Sequence, residues 1–225
     1  MVSQPLIPVI AIDGPSASGK GTVAQGVAAA LGFHYLDSGA LYRTVALAAV
    51  EAGTNLENES RLSSIALNLK AEFSGDTVVI KGRDVTDAIR TERVSEAASR
   101  IAGLAKVRAA LLERQRGFRR PPGLVAEGRD MGSVVFPDAA LKVFLTAGPE
   151  ERAARRYKQL MGKGMRATMA ALLQEIQERD ARDSDRSVAP LQKCADAVLL
   201  DTTGVPVEEV VTQVLALYQR AQQVP

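Results

Sequence analysis

Apolar and polar positions follow two rhythms along this chain, one suited to strands and one to helices. Val9, Ile10, Ala11 and Ile12 form a short, largely β-branched run closed by Asp13-Gly14-Pro15, which predicts a buried strand. An Ala-rich helix is predicted to follow and to run to Leu31, with Gly32 ending it as a C′ glycine. Short apolar segments at 34–37, 124–126, 141–145 and 197–200 read as further strands. Helical spacing recurs at 40–52, 149–161, from about 168, and at 207–221. Such alternation predicts an α/β fold with a parallel sheet flanked by helices. It breaks once: a helix at 59–69 leads to strands at 72–74 and 77–80 around Ser74-Gly75-Asp76, a third is expected near 84–86, and helices follow at 92–102 and 106–117. The stretch 60–103 therefore reads as a small inserted α/β lobe.

The turn after the first strand carries chemistry. Gly14-Pro15-Ser16-Ala17-Ser18-Gly19-Lys20 matches G-x-x-x-x-G-K, a loop whose backbone N–H groups point inward while the lysine reaches the β- and γ-phosphates of a nucleotide. The helix that follows adds its positive end. Gly21 stands where a hydroxyl is usual, and the hydroxyl comes one place later, at Thr22; GKGT resembles the nucleoside monophosphate kinases more than GTPases or motor ATPases. ATP is the expected ligand of residues Gly14 to Thr22, within a P-loop NTPase type of fold.

Composition narrows the picture. The 225 residues are 46% hydrophobic, enough for one α/β core, and 28 basic against 26 acidic residues leave a charge of only +2. Nothing in that balance calls for nucleic acid or a membrane, and without Trp and with 4% aromatics there is no stacking platform for single strands. No apolar run reaches the ~18 residues of a membrane span, and residues 1–5 lack a signal-peptide start, so a cytoplasmic protein is expected. The single Cys194 suits a reducing compartment, and the single His34 reads as structural.

A second charged site is expected on the helix that begins near Thr168. Leu172, Leu173 and Ile176 define a core-facing stripe, and the same stripe continues onto Arg179, Arg182, Asp183 and Arg186. Charge in that direction calls for an anionic partner, and arginine grips phosphate with two parallel bonds. The alternative is a solvated helix end. Arg129 and Asp130, in the turn Glu127-Gly128-Arg129-Asp130-Met131-Gly132 at the end of a predicted strand, join the same reading. Ser38, Tyr42 and Arg43 lie beside the first turns of the helix at 40–52. Arg152, Arg155 and Arg156, with Lys163 and Arg166 beyond, read either as a short helical lid at about 152–168 or as ordinary surface charge.

The motifs DGPSASGKGT, LDSGALYR, EGRDMGSVVFPDA and ERDARDSDRSVAPL, in this order, resemble bacterial cytidylate (CMP) kinases over nearly the whole chain. That resemblance implies that Ser99, Arg108 and Asp130 contact the cytosine, that Arg43, Arg129 and Arg186 hold the acceptor phosphate, and that Arg179 and Asp183 contact the ribose. It also implies that Ser38 and Tyr42 shape the pocket and that 60–103 is the lobe that binds the monophosphate. Reversible transfer of a phosphoryl group from MgATP to CMP, and to dCMP, follows, with Lys20, Arg129 and Arg186 as the catalytic charges. Thr22 and Asp37 are the side chains able to approach Mg2+. A single kinase domain over 1–225, acting as a monomer on small nucleotides, is expected. The rivals are a kinase for UMP, AMP or a non-nucleotide acceptor, and an ATP-binding regulatory module without turnover.

Overall fold

The computed structural model describes residues 6–75, 77–162 and 164–223. Asp76 of the expected turn, Lys163 of the expected lid and residues 1–5 lie outside the described residues. In chain order the elements are β1 (Val9–Asp13), α1 (Lys20–Leu31), β2 (His34–Asp37), α2 (Ser38–Glu51), α3 (Glu59–Asn68), β3 (Ala71–Ser74), β4 (Thr77–Ile80) and β5 (Arg83–Asp84). After them come α4 (Glu92–Ile101), α5 (Ala105–Arg116), β6 (Leu124–Gly128), β7 (Leu141–Thr146), α6 (Pro149–Gly162), α7 (Met169–Ser184), β8 (Val198–Asp201) and α8 (Val207–Ala221). The chain divides into two compact units, one made of 1–36 and 118–225, the other of 37–117.

The first unit is built on a five-stranded sheet in the order β2-β6-β1-β7-β8. Strand β1 runs parallel to β6, Val9 opposite Leu124 and Asp13 opposite Gly128, and parallel to β7, Ile10 opposite Leu141; β7 and β8 are parallel too. A central strand covered on both faces reads as a continuous apolar run, here Val9 to Ile12, and all five β1 residues are buried, the last being Asp13. Ile10, Ile12, Val125, Val143 and Leu145 pack with Val23 and Val27 of α1 and Val210, Val214 and Tyr218 of α8. Each such Ile, Leu or Val stabilises the fold by about 1.5–3 kcal/mol. On α6 and α7, Ala153, Leu172 and Ile176 make a smaller core of their own. The carboxyl ends of β1 and β6 carry Asp13 and Gly128, so the loops that follow them leave the sheet side by side. No helix among the described residues is long and apolar enough to cross a membrane.

The second unit pairs helices with a three-stranded antiparallel sheet, β3-β4-β5. Leu41 and Val45 of α2, Leu62 of α3, Val94 and Ile101 of α4 and Val107 and Leu111 of α5 are buried. This unit is wider than the expected 60–103, because the apolar face of α2 packs on α4 inside it. The last strand is also shorter than expected. Asp84 accepts a bond from the Thr86 amide at 2.8 Å and turns the chain, while the Thr86 hydroxyl accepts from the Val78 amide at 2.9 Å.

Candidate active site

The turn between β1 and α1 opens on a position that excludes any side chain. Gly14 has φ +151°, and a Cβ there would lie 2.0 Å from the Leu145 carbonyl oxygen of β7. Ser18 is fully buried. Lys20 is only 5% exposed, and its ammonium donates to the Pro15 carbonyl at 2.6 Å and to the Ser18 hydroxyl at 3.4 Å. Burial, and after it the charge of Arg129, pull its pKa down to about 7, against the opposing pull of Glu127 and Asp13.

Gly21 now has a physical reason. A Cβ at this position would come 3.2 Å from the Glu127 carboxylate and 3.7 Å from the Tyr35 hydroxyl, which donates to that carboxylate at 3.3 Å. The first helical turn is pressed against the end of β6, so the hydroxyl residue is displaced to Thr22, which is exposed.

Two arginines of α6 reach inward to this loop, which overturns the surface-charge reading for both. Arg152 is buried: it donates to the Ser16 carbonyl at 3.2 Å, to the Ala147 carbonyl at 2.9 Å, and through both terminal nitrogens to Asp180 at 3.1 and 2.6 Å. Arg155 donates to the Ser18 carbonyl at 3.3 Å, to the Thr202 hydroxyl at 3.0 Å and to the Thr202 carbonyl at 2.5 Å. Arg156 instead meets Gln159 at 3.4 Å near the surface. Thr202, buried after β8, and Asp180 escaped the sequence reading, since each meets its partners only across the tertiary fold.

The stripe on α7 holds its direction. Thr168 caps the helix by accepting from the Ala171 amide at 3.3 Å, Leu172 and Ile176 are buried, and Asp183, on the same face, is 1% exposed. Asp183 accepts from Arg129 Nε at 2.8 Å and from an Arg186 terminal nitrogen. Arg129 and Arg186 thus already share one anion within the chain, Asp183. Burial would raise the Asp183 carboxyl, but Arg129, Arg186 and Arg179 outweigh it and hold it below the usual range. Burial would likewise lower Arg129, and Asp183 outweighs that and raises it.

The turn 129–132 is less irregular than the sequence suggests. Met131–Val135 forms a π-helical turn, with Asp130 just before it and 4% exposed. Its leading amides, Met131 and Gly132, both donate to the Asp13 carboxylate at 2.8 Å. Burial pushes the Asp13 carboxyl up to about 6, although those two amides oppose it. Sequence reasoning passed over Asp13 as the residue that ends a strand.

In the second unit, Asp37 caps α2 by accepting from the Ala40 amide at 2.9 Å, and its other oxygen pairs with Arg43 at 2.6 Å. Against the rise that burial alone would cause, Arg43 holds the Asp37 carboxyl below its ordinary value. Arg43 Nε is buried with no hydrogen-bond partner among the described residues. Ser38, Tyr42, Ser99 and Arg108 are all buried. The Arg108 guanidinium stands 6.0 Å from the centre of the Tyr42 ring and donates to the Ala102 carbonyl at 3.1 Å. The only local trace of Ser99 and Arg108 in the sequence is a polar residue on the buried face of a helix.

The profile of a family described as cytidylate kinase matches residues 10–220. Similar proteins include a cytidylate kinase of Nitrosomonas europaea, 56% identical over 216 residues that cover 96% of this chain and 97% of that one. Another, from Pseudomonas aeruginosa, is 54% identical and covers 95% of this chain and 96% of its own. A third, from Burkholderia pseudomallei, is 57% identical over 96% of this chain and 95% of its own. With the buried phosphate-loop lysine and the arginine stripe in place, this extent of likeness assigns the chain to the cytidylate kinase family.

Proposed function

We infer that the protein transfers the γ-phosphoryl group of ATP to the phosphate of CMP, giving CDP and ADP, and that dCMP serves as well. The observation that carries this reading is the concentration of positive charge around Lys20 in the first unit. Arg129 is close enough to depress Lys20, and Arg179 adds to that effect. Cations that repel a buried lysine are costly, and a triphosphate together with a second, monophosphate anion removes the cost. A protein that only sensed ATP would need one.

The donor triphosphate rests on the loop Gly14 to Thr22, through the N–H groups of Gly14, Ser16, Ala17, Ser18, Gly19, Lys20, Gly21 and Thr22, with Pro15, which has no N–H, shaping the turn. On binding, Lys20 gives up its bond to the Pro15 carbonyl for phosphate oxygens. Arg152 and Arg155, held on loop carbonyls, add charge on the donor side. In the first unit the acceptor phosphate belongs to Arg129 and Arg186; in the second, taken by itself, the buried Arg43 Nε, without a hydrogen-bond partner among the described residues, supports a phosphate contact of its own. Within the first unit Asp130 is the base contact and Arg179 and Asp183 the ribose contacts; within the second, Ser99 and Arg108 are base contacts and Ser38 and Tyr42 shape the surface around them.

The acceptor is already an anionic phosphate, so the residues position and neutralise rather than remove a proton. Mg2+ fits this set as a water-rich ion on the nucleotide, since among the described residues no group of three His, Cys, Asp or Glu could hold a metal. Both Asp37 oxygens are engaged by Ala40 and Arg43, which leaves the exposed Thr22 hydroxyl as the better protein ligand. Held there, Mg2+ would supply further neutralisation of the triphosphate charge. The protein works as a monomer in the cytoplasm, with the lobe at about 60–103 binding the monophosphate and the segment at about 152–168 as its lid.

ADP release measured with CMP, dCMP, UMP and AMP side by side tests the reading. CMP and dCMP should exceed UMP and AMP by at least about 10-fold in kcat/KM. Equal rates with all four, or ADP release that needs no acceptor, would overturn it.

A further inference from the structure

We propose that Asp13 is a positioning residue for phosphoryl transfer: its carboxylate ties the start of the phosphate loop to the turn that presents Arg129 and Asp130, so that the donor and acceptor groups keep one fixed separation. The proposal rests on the CMP kinase reading above. Asp13 is the last residue of β1 and Gly14 opens the loop, so any shift of the loop begins here. Its two oxygens accept separately, one from the Met131 amide and one from the Gly132 amide, both at 2.8 Å. These are the two residues directly after Asp130, and they are donors that the π-helical turn leaves without partners of its own.

The far side of that turn is closed as well. The Met131 side chain is fully buried, and a Cβ on Gly132 would lie 3.1 Å from the Lys142 side chain and 3.5 Å from Asp13 itself. Arg129 and Asp130 therefore hang between the parallel strand β6 and a two-point anchor on β1. Only a carboxylate offers an acceptor to both amides; an amide side chain would turn its NH2 group toward one of them.

Keeping this carboxylate charged works against the fold. Burial raises it to about 6, Asp130 adds to the rise, and Lys20 lowers it. Arg129 and Cys194 also feel its charge, and Lys142, beside Gly132, is paired with Asp196 at 2.7 Å. A purely structural cap would gain by losing that charge, whereas a positioning fork requires it.

Two measurements test the proposal. In wild-type protein free of nucleotide, the amide proton resonances of Met131 and Gly132 should move downfield together as pH rises, with one midpoint near 6. Resonances that stay still from pH 5 to 8 would overturn it. In Asp13→Asn, kcat with CMP should fall about 100-fold, the Kd for ATP should stay within about threefold, and the melting temperature at pH 7.5 should be no lower than that of wild type. An unchanged kcat, or ATP affinity and kcat/KM for CMP lowered by the same factor, would overturn the proposal alone. A wild type that forms no CDP overturns the functional reading, and this proposal with it, before any variant is made.

Discussion

Lys20 shows how a single side chain can be held in readiness for an anion. Without nucleotide it leans on the Pro15 carbonyl, buried and repelled by Arg129, with a pKa near 7. Triphosphate at this spot must favour the ammonium, so binding of MgATP at pH 8 should take up close to one proton per site. Isothermal titration in buffers of different ionisation enthalpy reads this directly; heats that do not depend on the buffer would contradict it, and Lys20→Ala should remove the uptake. Gly14 is constrained as tightly by shape as Lys20 is by charge. Gly14→Ala drives a methyl group into the Leu145 carbonyl at a φ hostile to any side chain, so a loss of about 3 kcal/mol or more is expected in urea denaturation.

Among the elements, α7 and α6 show which relations the sequence carries and which it does not. The helical period of Leu172, Ile176 and Asp183, all buried, is local, so the inward face of α7 was legible. What meets it was not, because Arg129 reaches Asp183 across 54 residues and Arg152 reaches Ser16 across 136. Asp13 was illegible for the same reason: its amide partners come from another strand's loop, 118 and 119 residues away. The strands and helices themselves were readable from apolar period and Gly punctuation, while the π-helical turn 131–135 follows from tertiary pairing alone. On the proposal that Arg129 and Arg186 hold the acceptor phosphate, Arg129→Met and Arg186→Met should each lower kcat/KM for CMP by about 100-fold or more while ATP affinity changes little. Equal weakening of both substrates would move the stripe to the donor. Arg152→Met removes the partner of Asp180, which is 27% exposed and can rehydrate, so a stability loss of about 2 kcal/mol is expected rather than the full cost of a buried orphan charge.

For the molecule as a whole, Asp13 and Lys20 give stability an uncommon dependence on pH. The folded pKa of Asp13, about 6, lies above its ordinary value of 3.8, so the folded state binds more protons between them and stability falls as pH rises from about 4 to 6. The folded pKa of Lys20, about 7, lies below its ordinary 10.5, so the unfolded state binds more protons there and stability rises from pH 7 upward. Protein without nucleotide should therefore be less stable near pH 6.5 than at pH 5 or pH 8.5, by on the order of 2 kcal/mol. MgATP should fill that dip, and a flat profile from pH 5 to 8.5 would contradict the two shifts. Asp183 and Asp37, both held low by arginines, act in the opposite sense at stronger acid: their contribution is present above the ordinary carboxylate value and is lost as pH falls through their folded values. The central claim is that two anions are brought together for transfer between them. Chromatographic separation of the nucleotides after wild-type protein is incubated with MgATP and CMP tests it most directly: CDP and ADP should accumulate in equal amounts and only when both substrates are present, whereas inorganic phosphate without CDP would contradict the account.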